Sequence, residues 1–181
     1  MIGLRKLPPV ERAAWLLRDV IDPTLTDLRK RGIPSDDCAR VMLVAIAAQE
    51  SGIRHRDQVD APGRDVLGPA LGLWQFERGG GVAGVLKHPA SDAVAVAICR
   101  AVGVAPEPDA VWRALRVDDS LACGFARLLL WTNTEPLPAS ADSAAGWSYY
   151  LRCWRPGKPH PERWLGNWAV ALEAISGAPS H

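Results

Sequence analysis

The segment Cys38–Ala48, CARVMLVAIAA, is apolar on every side except at Arg40. A helix without a polar face has to be enclosed by protein, so the rest of the chain must be arranged around this one. The segment is also too short to cross a bilayer. Ser35, just after Pro34, offers an N-capping oxygen, and Asp36 and Asp37 place negative charge in the first turn. The helix closes with Gln49-Glu50-Ser51, and Gly52 stands where a left-handed residue is expected.

Upstream, Val10, Ala13, Ala14, Leu17 and Val20 have helical spacing, Pro23 opens a second short helix, and Gly32 and Pro34 stop it. Downstream, residues 53–71 read as a loop holding Pro62, Gly63, Gly68 and Pro69. Gly72–Glu77, GLWQFE, puts Leu73 and Gln75 opposite Trp74 and Phe76, and Gly79, Gly80 and Gly81 follow it. That pattern predicts a short strand or hairpin, the only β segment expected. Helices are expected at about 91–102, 108–115, 119–132, 140–153 and 161–175. The expectation is a mainly α fold of α+β type: a central buried helix, a small β-hairpin and surrounding helices. No repeat or linker divides the 181 residues, so a single domain is expected over 1–181, with 176–181 frayed.

Composition removes several function classes. The net charge of +1 gives no electrostatic basis for whole-molecule binding to nucleic acid or to an anionic membrane, and no membrane insertion is expected. Cys38, Cys99, Cys123 and Cys153 form no close pair, which argues against zinc and redox motifs and for reduced core residues. His88 and His160 are isolated, so neither a metal nor another cofactor is expected. The glycine run 79–81 lacks the Lys-Ser/Thr of a phosphate loop. Eight Trp against two Phe and two Tyr is an unusual balance. Indoles fill cores, and they also stack on flat, partly apolar ligands such as sugar rings.

Glu50 lies at the end of the most hydrophobic helix. Removal from water and the negative end of the helix dipole both oppose ionisation there. A carboxyl that keeps its proton near neutral pH is what glycosidic cleavage needs, since the leaving oxygen must be protonated as the bond breaks. A Glu turned outward at a frayed helix end is the plain alternative.

Glu50-Ser51, then Gly72-Leu73-Trp74-Gln75, then Trp131-Thr132-Asn133 at the end of a later helix form a set. It resembles the soluble lytic transglycosylase and goose-type lysozyme families. In these a Glu-Ser pair ends the central helix, a Gly-Leu-Met-Gln stretch lies on a small β element, and Ala-Tyr-Asn closes a later helix. The resemblance runs over residues 36–140 and implies a lysozyme-like fold. It implies that Glu50 is the catalytic acid/base and that Ser51, Gln75 and Asn133 line the sugar cleft, with Trp74 as a stacking platform in place of Met. Thr132 stands where the family has Tyr, whose hydroxyl helps position the acid; Trp131, Tyr149 and Tyr150 are candidates to fill that space. The stretch from Tyr149-Tyr150 through Trp154-Arg155-Pro156-Gly157-Lys158-Pro159 resembles phage-encoded lysozyme-like proteins.

The resemblance implies cleavage of the β-1,4 bond between N-acetylmuramic acid and N-acetylglucosamine in peptidoglycan glycan strands. Many glycosidases use two carboxylates. Asp57, Asp60, Asp65 and Glu77 are the candidates for a second, and Glu77 is the best placed, although a solvated hairpin end explains it equally well. Lytic transglycosylases use the sugar's own N-acetyl group instead and close a 1,6-anhydro ring; hydrolysis by water stays open. Arg54, His55, Arg56 and Asp57 read either as contacts to a peptide stem or muramyl carboxylate, or as a solvated loop. Arg152, Arg155, Lys158 and Arg163, interleaved with Trp154 and Trp164, read either as a basic aromatic patch or as ordinary surface. The opening MIGLRKLPPVERAAW has no Sec-type leader pattern. The expectation is synthesis in the cytoplasm and action on the wall in the periplasm, carried in a phage virion beside other tail proteins or released by a holin. A structural or wall-binding virion protein of weak catalysis is the alternative.

Overall fold

The computed structural model describes residues 6–57 and 68–177 of the chain. It is mainly helical, with one small antiparallel sheet. The described residues pack as two compact units, one of 6–54 with 135–177 and the other of 55–57 with 68–134. The chain passes from one unit to the other just after the helices that end at Ser51 and Trp131.

The first unit contains α1 (Pro9–Leu16), α2 (Asp22–Lys30), α3 (Asp37–Ser51), α8 (Ser143–Trp154) and α9 (Pro161–Ser176). No break separates α1 from α2. A π-helical stretch, Leu17–Ile21, joins them, and the Asp22 amide donates to the Leu17 carbonyl. Pro23 lies in the first turn of α2, where its missing N–H and bulky ring would disrupt regular helix. Widening the turn before it absorbs the insult, and the Thr24 hydroxyl donates to the Val20 carbonyl at 2.7 Å.

Helix α3 is buried on nearly all sides from Ala39 to Ala47, as its sequence demands, and packs chiefly against α9. Arg40, its one interior charge, forms a forked pair with Asp22 at 2.9 and 3.0 Å and reaches Asp37 at 3.0 Å. The cap differs from the expectation. Asp36 rather than Ser35 accepts from the Ala39 amide, at 3.0 Å. A carboxylate there also answers the positive end of the dipole, which a hydroxyl does not. Gly52 adopts the left-handed conformation expected of it, with φ +62°.

The second unit contains β1 (Ala70–Leu71), β2 (Phe76–Glu77), α4 (Ala83–Lys87), α5 (Asp92–Ala101), α6 (Pro108–Ala114) and α7 (Asp119–Trp131). The hairpin exists, but it is displaced from the expected strand. Ala70 pairs with Glu77 and Leu71 with Phe76, so Gly72–Gln75 is the turn between the strands. A second π-helical stretch, Arg78–Val82, holds the glycine run and leads into α4, a helix of five residues, too short to show a helical period in the sequence. A side chain at Gly81 would meet the Phe76 ring at 2.7 Å, so glycine there lets the backbone lie against that ring. Phe76 in turn meets Phe125 of α7 edge to face at 6.4 Å.

All four cysteines are free thiols, with Cys99 and Cys123 buried and Cys38 and Cys153 half-buried. Burial pushes the Cys99 thiol up to about 11. Among the described residues, no single helix is long and apolar enough to cross a membrane, and no cluster of three or more His, Cys, Asp or Glu converges.

Candidate functional site

Three consecutive polar residues end α3, and each turns to a different partner. Gln49 is buried; its Nε2 donates to the His160 carbonyl at 3.0 Å, and its Oε1 accepts from Asn167 Nδ2 at 2.8 Å. This ties the end of α3 to the start of α9. Ser51 is also buried. Its hydroxyl donates to the Ala47 carbonyl at 3.0 Å and accepts from the Ile53 amide at 3.2 Å. Ser51 therefore closes its own helix, and the sugar-binding role implied for it gives way to a structural one.

Glu50 lies between them and is half-buried. Its Oε1 accepts a 2.6 Å hydrogen bond from the Tyr150 hydroxyl of α8, a hundred positions along the chain. A hydrogen bond of this kind to a neutral carboxyl contributes about 0.5–1.5 kcal/mol. Tyr150 is buried, and burial, reinforced by the neighbouring Glu50 carboxyl, holds its phenol well above its ordinary pKa. Tyr150 is thus a permanent donor near neutral pH. It aims the carboxyl while keeping its own proton.

The frayed-end alternative for Glu50 fails at this point, because α3 is firmly closed beneath the carboxyl. Arg12 of α1 is buried and donates from Nε to the Gly52 carbonyl at 3.0 Å. Burial and the nearby Arg54 lower the Arg12 pKa. A cation at the negative end of α3 offsets part of the dipole effect expected from sequence.

The Tyr150 ring is enclosed by indoles. Trp164 of α9 stacks on it at 5.3 Å and 18°, Trp154 stacks at 6.3 Å and 29°, and Trp147 lies tilted at 5.3 Å. Trp164 and Trp168 are in turn 5.5 Å apart. Both are buried, and their indole N–H groups donate to Ser143 and Ser140 carbonyls at 2.7 and 3.0 Å. Gly146 permits this packing, since a side chain there would collide with the Trp168 ring. Two members of the expected basic aromatic patch are engaged elsewhere, while Arg155, Lys158 and Arg163 are exposed. Trp164 is a core residue, and Arg152 pairs with Glu135 at 2.6 Å while lying over the Tyr149 ring. The spacing of Trp147, Tyr150 and Trp154 at i, i+3 and i+7 was the available sequence signal for this cluster.

The remaining residues of the expected site belong to the second unit. Gly72 has φ +78°, and a side chain there would meet the Leu115 carbonyl oxygen at 2.5 Å. Gln75 also has a positive φ, +49°, and its Nε2 donates back to the Gly72 carbonyl at 2.8 Å. Trp74 is completely buried, so it serves as core and not as a stacking platform open to a ligand. Asn133 follows α7 and is half-exposed, its backbone N–H donating to the Leu130 carbonyl at 3.4 Å. Thr132 turns its hydroxyl to the Leu129 carbonyl at 2.7 Å.

Comparison of the chain with protein-family models, curated proteins and solved structures finds no match in any of the three. The resemblance therefore rests on the motif residues themselves.

Of the candidate second carboxylates, Glu77 is exposed at the end of β2, as a solvated hairpin end would be. Asp57 is taken by Arg116 through both carboxylate oxygens, at 2.5 and 3.1 Å. Asp60 and Asp65 lie outside the described residues. Arg56 forms a forked pair with Asp119, so Arg56 and Asp57 fasten the start of the second unit rather than await a ligand.

Proposed function

We propose that this chain is a peptidoglycan-cleaving glycosidase, a lytic transglycosylase or lysozyme, with Glu50 as its acid/base. The observation that supports the reading most is the 2.6 Å hydrogen bond from Tyr150 to Glu50 Oε1. In the related families a tyrosine hydroxyl helps position the acid, and the motif position for it is Thr132 here. A phenol from α8 meets the need from another direction.

The chemistry follows from one fixed carboxyl. With Oε1 accepting from Tyr150, the acid proton belongs on Oε2 and passes to the glycosidic oxygen as the C1–O bond breaks. The acetamido oxygen of the muramyl sugar bonds to C1 as the leaving group departs. Glu50, now a carboxylate, takes the proton of the 6-hydroxyl as that oxygen displaces the acetamido group and closes the anhydro ring. A water in place of the 6-hydroxyl gives hydrolysis instead. Neither route needs a second protein carboxylate, which suits an exposed Glu77 and an Asp57 held by Arg116.

A zymogram of the purified protein on embedded peptidoglycan tests the reading: clearing is expected. Mass spectrometry of the released muropeptides then assigns the route, with anhydro ends for transglycosylation and reducing ends for hydrolysis. No clearing, with the protein shown to be folded, would favour a catalytically silent virion or wall-binding protein.

A further inference from the structure

We infer that Trp164 is a positioning residue for the reaction: it holds the Tyr150 ring so that the phenol hydroxyl stays on Glu50. The inference rests on the reading of Glu50 as the acid, and it adds a residue that none of the motifs contains.

A phenol hydroxyl is only as well placed as its ring. Tyr150 has two side-chain torsions, and rotation about either would carry the hydroxyl off the Glu50 carboxyl. Its two stacked neighbours prevent this, and they are unequal. Trp154 shares helix α8 with Tyr150 and is half-buried. Trp164 comes from a different helix and is buried, and of the two its ring lies nearer and flatter, at 5.3 Å and 18° against 6.3 Å and 29°. It is also fixed at its far edge, where the indole N–H donates to the Ser143 carbonyl at 2.7 Å, just as α8 begins. One indole thus connects the first residue of α8 to the Tyr150 ring about two turns further along. Helix α9, which carries Trp164, is itself joined to the end of α3 through Asn167 and Gln49, the residue before Glu50. The carboxyl and the wall behind its hydrogen-bond donor are therefore registered against the same helix.

An aromatic pair of this kind contributes about 0.5–1.5 kcal/mol beyond its buried area. Its effect on rate comes from orientation, to which bound geometry is acutely sensitive. A positioning role also differs from sugar binding: Trp164 is buried, so no glycan can stack on it.

The test is a double-mutant cycle on cleavage of soluble peptidoglycan fragments, using Trp164→Leu, Tyr150→Phe and the pair, with Trp164→Phe as the conservative variant. Circular dichroism and thermal melts establish which variants are folded. The expected result is a kcat lower on the order of tenfold for Trp164→Leu with KM little changed. Trp164→Phe recovers part of the loss, and the double variant is no slower than Tyr150→Phe alone, because Trp164 acts through that hydroxyl. Independent multiplicative losses, or a raised KM at unchanged kcat, would overturn the inference. A second readout needs no activity. Alkaline titration by ultraviolet absorbance in a Tyr149→Phe background should show Tyr150 ionising late, and earlier once Trp164→Leu is added, with Trp164→Phe intermediate. If the wild type is inactive, this titration still decides whether Trp164 shields Tyr150, and an unchanged titration in folded Trp164→Leu overturns the proposal.

Discussion

Two turns in this molecule are alike in backbone, each with two residues at positive φ, and they use their polar side chains in opposite ways. At the end of α3, Gly52 and Ile53 take left-handed conformations; in the hairpin, Gly72 and Gln75 do. Each turn has beside it a polar residue, Glu50 in one and Gln75 in the other, that the motif resemblance singles out. Gln75 folds its carboxamide back onto the Gly72 carbonyl three residues away, and Trp74 next to it is completely buried. Glu50 instead meets a phenol from a helix a hundred positions distant, while Ser51 and Arg12 attend to the backbone of its turn. A side chain consumed by its own turn maintains the fold. A side chain whose turn is closed by others can meet a partner far along the chain. Substitutions in the hairpin turn should therefore change stability, and those around Glu50 should change rate.

The largest stability effect is expected at Gly72→Ala. The substitution combines a positive φ with a 2.5 Å approach to the Leu115 carbonyl, which together cost about 2–6 kcal/mol. Chemical denaturation measures it, and a loss below that of an ordinary surface substitution would remove the turn's structural role. Tyr150→Phe should cost about 1–3 kcal/mol, because it takes the donor from the part-buried Glu50 Oε1. The pH dependence of that loss has a definite sign. The folded phenol has a raised pKa, so its contribution is fully present below the unfolded value near 10 and declines as pH rises beyond it. The stability gap between wild type and Tyr150→Phe should therefore be constant at neutral pH and narrow above about pH 10. A gap that widens with alkali would contradict the assignment of Tyr150 as donor.

Gly146→Ala should be milder, roughly 1–2 kcal/mol. Better helix propensity offsets part of the collision with the Trp168 ring, and near-ultraviolet circular dichroism should report the displaced indole. The smallest effect is expected at Gln75→Gly. Relief of the left-handed strain and loss of one hydrogen bond leave a net change within about 1 kcal/mol. Its clearing rate should stay close to wild type. A loss comparable with that of removing the Glu50 carboxyl would break the contrast between the two turns.

The elements were legible wherever a local pattern decided them. The all-round apolar run made α3, and Gly52 ended it as expected. Errors arose where two local solutions compete. Ser35 and Asp36 are both good caps, and the carboxylate won. GLWQFE alternates like a strand, but Gly72 and Gln75 take positive φ and convert most of it to a turn. Pro23 reads as a helix break, yet a π-turn carried the helix through. At the site, Glu50 was visible because its environment is a property of one helix. Tyr150 was visible only as one of three candidates, since a contact between α3 and α8 is set by packing that no local pattern encodes. Trp164 was legible as an aromatic and not as a neighbour of Tyr150. Ser51 and Trp74 carried the right residue types and are used by the fold instead.

The most direct measurement is the rate at which folded Glu50→Gln protein releases soluble muropeptides from purified peptidoglycan, beside the wild type at equal concentration. The substitution keeps a side-chain oxygen able to accept from Tyr150 and removes only the acid. A fall on the order of 100- to 10,000-fold with an unchanged melting profile is expected for loss of a general acid. Release by Glu50→Gln at the wild-type rate would contradict the account.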